Sequence, residues 1–137
     1  MAETLTFSKV YLYDTRAPGI SVEAVLKSGD KVILCDPKID TGADNCIFER
    51  GHGEALGLDI ESGTPQRFGT AVGSFLAYGH VITLSVLGIE ITTTVYFAAD
   101  ESFSRNVLGR QGWLDHMRLG LVDYDGKLYL SAYNDTE

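Results

Sequence analysis

Basic residues are scarce in this chain. Eleven Lys and Arg stand against 19 Asp and Glu, a formal charge of −8 over 137 residues. Nucleic-acid and anionic-membrane surfaces need clustered cations, so this balance argues against both as partners. It also argues, weakly, against strongly acidic peptides as ligands. Cysteine is scarcer still. Cys35 and Cys46 are the only two, too few for a disulfide framework and wrongly spaced for a CxxC redox site or a zinc cluster; both are read as reduced structural thiols. No apolar run approaches the ~20 residues of a membrane helix. The opening MAETLTFSKV lacks a basic segment leading into an apolar one, so no signal peptide is visible and a soluble, cytoplasmic protein is expected. Motifs of other chemistries are missing too. His52, His80 and His116 show no metal-ligand spacing such as HExxH, and are expected at the surface or satisfied in the core; there is no GxSxG and no GKS or GKT. GHGEALG (51–57) misses GxGxxG by one residue and sits in no βαβ unit.

Strand signals fill the space these absences leave. With 45% hydrophobic and 22% charged residues the chain is globular, and 137 residues suit one domain, 1–137. LTFSKVYLYD (5–14) alternates loosely. ISVEAVL (20–26) follows the turn signal Ala17-Pro18-Gly19, and Ser28–Asp30 separates it from KVILCDPKID. HVITLSVLGIEITTTVYFA (80–98) reads as two strands around Leu87-Gly88-Ile89, its β-branched run favouring a pleated surface. RFGTAVGSFLAYGH (67–80) reads as a hairpin turning near Ala71-Val72-Gly73-Ser74, and LGLVDYDGKLYLSAY (119–133) as another around Tyr124-Asp125-Gly126-Lys127. Two stretches suggest short helices: FERGHGEALGL (48–58), limited by interior glycines, and RQGWLDHMRLG (110–120), where Trp113, Leu114 and Met117 would share a face. Residues 134–137 form a polar tail. An all-β domain with one or two short helices results.

Within this frame IDTGAD (39–44) drives an apolar strand up to Asp40 and turns at once. Asp40 is either a turn-former, since Asp and Gly are common where strands end, or a reagent. Gly42 and Ala43 allow close backbone approach and Thr41 offers a short hydroxyl, which is what a reactive carboxylate needs. About seventy residues on, NVLGRQGWLDH (106–116) places two apolar residues, Gly109 and Arg110 before an amphipathic stretch. Strand, glycine turn and helix start account for those residue types, but not for an arginine at the turn.

DTGAD followed by a glycine-containing hairpin and then NVLGR resembles the retropepsin family, single-domain dimeric aspartic proteases of retroviruses and their bacterial relatives. The resemblance covers Lys31 to Leu130. Residues 69–91 are similar to the flap and returning strands of the bacterial branch, and residues 113–130 to its closing helix and hairpin. One departure stands out: Asp36-Pro37-Lys38 precede the motif where the family continues an apolar strand, and Pro37, which cannot donate to a ladder, should interrupt or bulge it.

That resemblance implies a retropepsin-like acid protease barrel with a flap at about 67–80. A single DTG implies a homodimer in which Asp40 meets its own copy across a two-fold axis. Two carboxylates so close share one proton, one acting as general base on water and one as general acid on the scissile carbonyl of a peptide or protein substrate. No metal and no cofactor is required. Thr41 would bond across the axis and Gly42 would accept from substrate. Ala43, Asp44 and Asn45, with flap residues Ala71, Val72 and Gly73, would bind the peptide, and Val95–Ala99 would add pocket walls. Asp44 would pair with Arg110, tying the catalytic loop to the closing helix. The alternative in another class is the same dimer used as a peptide-binding or scaffolding module without turnover; a monomer with unpaired Asp40 is a third.

Overall fold

The structure is a computed structural model that describes residues 1–136, so the last position of the expected tail lies outside the described residues. The chain opens with β1 (Lys9–Leu12), then β2 (Ala24–Ser28) and β3 (Lys31–Cys35) as a hairpin. β3 stops at Cys35, and Pro37 costs the ladder one donor without shifting it: the Val22 N–H donates to Pro37 O (3.1 Å) and the Ile39 N–H to Ile20 O (2.8 Å). β4 (Lys38–Ile39) keeps the same register against Ser21 while pairing with a later strand on its other side. β5 (Ile47–Phe48) runs into α1 (Arg50–Ala55), and β6 (Thr64–Thr70), β7 (Gly73–Val86) and β8 (Ile89–Ala98) form the long meander. β9 (Val107–Leu108), β10 (Met117–Val122) and β11 (Lys127–Ala132) complete the chain.

Two sheets result. The smaller has the order β1-β11-β10. The larger has the order β3-β2-β7-β8-β5-β9-β4, with β6 paired to β7, and curls into a half-barrel. The β7–β8 turn uses only Leu87 and Gly88, with φ of 52° and 83°. Both values are positive, as the twist-matched two-residue hairpin turn requires. The flap hairpin turns on Ala71-Val72, because Thr70 pairs with Gly73; this is one residue earlier than the sequence suggested. The β10–β11 hairpin forms around Asp125-Gly126, with Gly126 left-handed after a 3₁₀ turn.

The second expected helix does not form. Only Leu114–His116 make a 3₁₀ turn, and Met117 already belongs to β10. Gly112 has a positive φ (+99°) and Trp113 is neither helical nor extended (φ −142°, ψ −63°), so no helical turn can start before Leu114. The other stretch forms α1, six residues long. Arg50 at its start binds Glu54 (3.0 Å), Glu61 (2.9 Å) and the Ala99 carbonyl (3.1 Å), which fastens α1 to the end of β8 and holds the Glu61 carboxyl below its ordinary pKa. No helix among the described residues is long and apolar enough to cross a membrane.

A single core cluster spans both sheets. Phe48, Phe97, Leu26, Leu84 and Trp113 meet Leu128 and Leu130 of the smaller sheet, all fully buried. Burying such side chains stabilises the fold by about 1.5–3 kcal/mol each. Trp113 carries a cost with its gain, since its buried indole N–H finds no acceptor among the described residues. Trp113→Phe should therefore stay within about 1.5 kcal/mol of the parent in urea unfolding, because loss of volume is offset by loss of an unsatisfied donor. Trp113→Ala should lose about 3–5 kcal/mol.

Candidate active site

Asp40 sits where three two-residue strands cross. β9 runs parallel to β4 and antiparallel to β5, so it lies between the two ends of loop 40–46. Main-chain hydrogen bonds lace the loop to it: Lys38 N–H to Asn106 O (2.9 Å), Asp40 N–H to Leu108 O (3.0 Å), Arg110 N–H to Ala43 O (2.8 Å) and Gln111 N–H to Asp44 O (2.8 Å). Gly109 lies at the closest approach. A Cβ there would stand 2.7 Å from Ala43 O and collide with Asn45 O, so only glycine lets the two segments meet.

Loop 40–46 is tight. The Gly42 N–H donates to Asp40 Oδ1 at 2.9 Å and the Ala43 N–H to Asp40 O at 3.1 Å. The turn-forming role weighed for Asp40 is therefore present, and it fixes the carboxylate rather than consuming it. Asp40 is partly exposed, and the described residues offer it no other side-chain hydrogen bond.

Two clefts meet at this carboxylate. One, of about 310 Å³, runs from Asp40, Gly42, Ala43, Asp44 and Asn45 to the base of the flap. Its floor is Ile47 and Val107, and its roof is Phe68, Gly69, Thr70 and Phe75. The roof is held by rings: Phe68 stacks on Phe75 (5.5 Å), meets Tyr96 edge-on (5.2 Å), and Phe75 packs on Phe103 (4.7 Å). The other, of about 360 Å³, opens on the far side between Lys38 and the 104–107 segment.

The sequence-predicted residues distribute unevenly. Asp40, Gly42, Ala43, Asp44 and Asn45 converge on the first cleft; Thr41 is exposed beside it and lines neither. Ala71, Val72 and Gly73 do not line it. They form the flap tip, where Val72 is 98% exposed. Val95, Phe97 and Ala98 face the core, and Tyr96 only buttresses Phe68. The expected Asp44–Arg110 ion pair is absent among the described residues: both side chains are exposed, and the loops are joined through main chain. Phe68, Gly69, Thr70 and Phe75 fall inside the flap expected at about 67–80, and the lining residues missed from sequence are Ile47, Phe103, Arg105 and Val107.

Both thiols are held in the protonated form, with Cys46 buried and Cys35 half-buried. Burial pushes Cys35 and Cys46 up to about 12. The histidines are occupied: His80 Nε2 lies 2.9 Å from Ile60 O, His116 Nδ1 2.8 Å from Asp115, and His52 3.8 Å from Glu49.

No family model and no curated protein matches the sequence. Solved structures do match in shape. A retropepsin-like aspartic protease from Rickettsia conorii aligns over 90% of this chain and 97% of its own, with 17% identity and a TM-score of 0.68. The fold is retropepsin-like. The EIAV protease, in complex with the inhibitor HBY-793, aligns over 69% of this chain and 85% of its own, with 18% identity and a TM-score of 0.54. In this retropepsin-like frame the strand β9 and the loop before it are as much part of the site as the DTG turn.

Two outcomes are expected. Gly109→Ala should lower stability by at least about 2 kcal/mol in urea unfolding, since Ala43 and Asn45 must move to admit one methyl. Iodoacetamide at pH 8 should leave both thiols of the folded protein unmodified and alkylate both in urea, because the pKa raised by burial keeps them protonated until unfolding.

Proposed function

We propose that the chain is an aspartic endopeptidase that hydrolyses peptide bonds as a homodimer. The observation that carries this reading is Asp40 itself: a partly exposed carboxylate, fixed by the Gly42 N–H, at the mouth of a cleft that a hairpin roofs. Retropepsin-like neighbours support it. One DTG supplies one carboxylate, and water activation with carbonyl protonation needs two. A second copy about a two-fold axis supplies the other, with Thr41 of each copy beside the axis.

With one proton shared, the ionised Asp40 takes a proton from water while the protonated one donates to the carbonyl oxygen. The hydroxide adds to the carbonyl carbon, giving a neutral diol. One carboxylate then accepts a diol proton as the other protonates the amine, and the C–N bond breaks. An extended peptide would lie along Gly42–Asn45 beneath Phe68 and Phe75, and the roof would exclude water from the reaction.

Asp40→Asn should lower kcat/KM by at least about 100-fold while leaving the urea midpoint little changed. Mixing this variant into wild type should reduce activity below simple dilution, because mixed dimers lack a complete pair; a strictly proportional loss would eliminate the dimeric site. The pH profile of kcat/KM should be bell-shaped, since activity needs one proton per pair. It should rise as the pair loses its first proton and fall as it loses the second. A dimer that binds peptides but cuts none would be a binding module instead.

A further inference from the structure

Arg105 stands at the junction of the two clefts. Both include Asp40, Arg105 and Val107 in their walls. The residues around Arg105 are anchored. Phe103 packs on Phe75, and Asn106 is clasped to Glu49, its Nδ2 donating to Oε2 at 2.6 Å while the Glu49 N–H donates back to Oδ1 at 3.0 Å. Val107 and Leu108 are then pinned in β9. The arginine is thus displayed from a fixed base, exposed, beside the carboxylate.

Its guanidinium forms no ion pair or hydrogen bond among the described residues, unlike Arg16, Arg50 and Arg118. Lys38, in the second cleft, is likewise without a carboxylate partner, its stem lying against Gly19. Asp36, Asp40 and Asp44 line these same clefts, and none of them takes either cation as a partner within 4.0 Å. In a chain where acids outnumber bases 19 to 11, two unpaired cations flanking one carboxylate stand ready for a charge brought from outside.

We propose that Arg105, assisted by Lys38, forms a subsite for one acidic side chain of the substrate peptide, close to the scissile bond. This rests on the peptidase reading and narrows it to peptides with Asp or Glu beside the cut. A planar guanidinium is suited to bidentate capture of a carboxylate. The apolar roof of Phe68 and Phe75 leaves the neighbouring substrate side chain a hydrophobic place. Arg105 acts on choice of substrate, and the hydrolytic proton transfers remain with Asp40.

The test uses three matched peptide libraries, randomised except for a fixed central Glu, Gln or Lys. Wild type should cut the Glu library at least about tenfold faster than the Gln library, at bonds adjoining the fixed residue. That ratio should fall to about one in Arg105→Gln, recover in part in Arg105→Lys, and turn in favour of the Lys library in Arg105→Glu. A ratio unchanged by Arg105→Gln overturns the proposal. If wild type cuts none of the libraries, the peptidase reading fails first. Fluorescence anisotropy of labelled Glu and Gln library peptides on Asp40→Asn, with and without Arg105→Gln, then decides the subsite separately. Tighter Glu binding that is lost with Arg105→Gln upholds it; equal or absent binding overturns it.

Discussion

The site depends on two backbone segments meeting more closely than any side chain would permit. Loop 40–46 and segment 106–111 are far apart in sequence, yet their amides and carbonyls interlock on either side of Gly109. The polar wall of the cleft inherits its position from that contact. Asp40 is aimed by the Leu108 carbonyl behind it, Ala43 and Asp44 are fixed by Arg110 and Gln111, and Arg105 is carried on the segment that leads into the strand between. Four backbone hydrogen bonds in a partly desolvated crossing contribute about 0.5–1.5 kcal/mol each. That is modest as stability, but it removes the freedom that would otherwise misplace a reacting group.

Around this crossing the molecule divides its labour. The smaller sheet and the core beneath Trp113 supply rigidity, and the meander supplies a cover. The cover is apolar and built from rings, whereas the walls near Asp40 are polar and charged. Under the proposed function such a cleft would grip an extended chain by main-chain contacts along Gly42–Asn45 and sort side chains at its two ends. The large sheet is so strongly curled that β7 buries odd positions near the flap (Ala77, Gly79) and even ones lower down (Ile82, Leu84, Val86).

The hairpins could be read from sequence because their turn residues announce them locally. Leu87-Gly88 and Asp125-Gly126 fall where strand periodicity pauses. Other features could not. β4, β5 and β9 are two residues long and carry no period at all, so their crossing exists only as a tertiary fact. Trp113, Leu114 and Met117 have helical spacing, but the backbone at Gly112 and Trp113 overrides it. Asp44 and Arg110 were brought near one another, as the motif suggested, but through main chain and not through charge. Phe103 was missed because it reaches Phe75 from 28 positions away, a contact no local pattern encodes.

The length of β7 limits how the cover can move. From Ala77 onward β7 is stitched to β8 on one side, and β6 reaches only to Gly79 on the other. Beyond that seam the four pairs from Arg67–Leu76 to Thr70–Gly73 form a two-stranded arm, tied at its base by the Ala99 N–H to Leu76 O (2.9 Å). At ~3.3 Å per residue it projects roughly 13 Å. No pair of the β7–β8 ladder falls within this arm. The cover of the cleft is therefore one short arm, and it carries the Phe68 and Phe75 rings that form the roof.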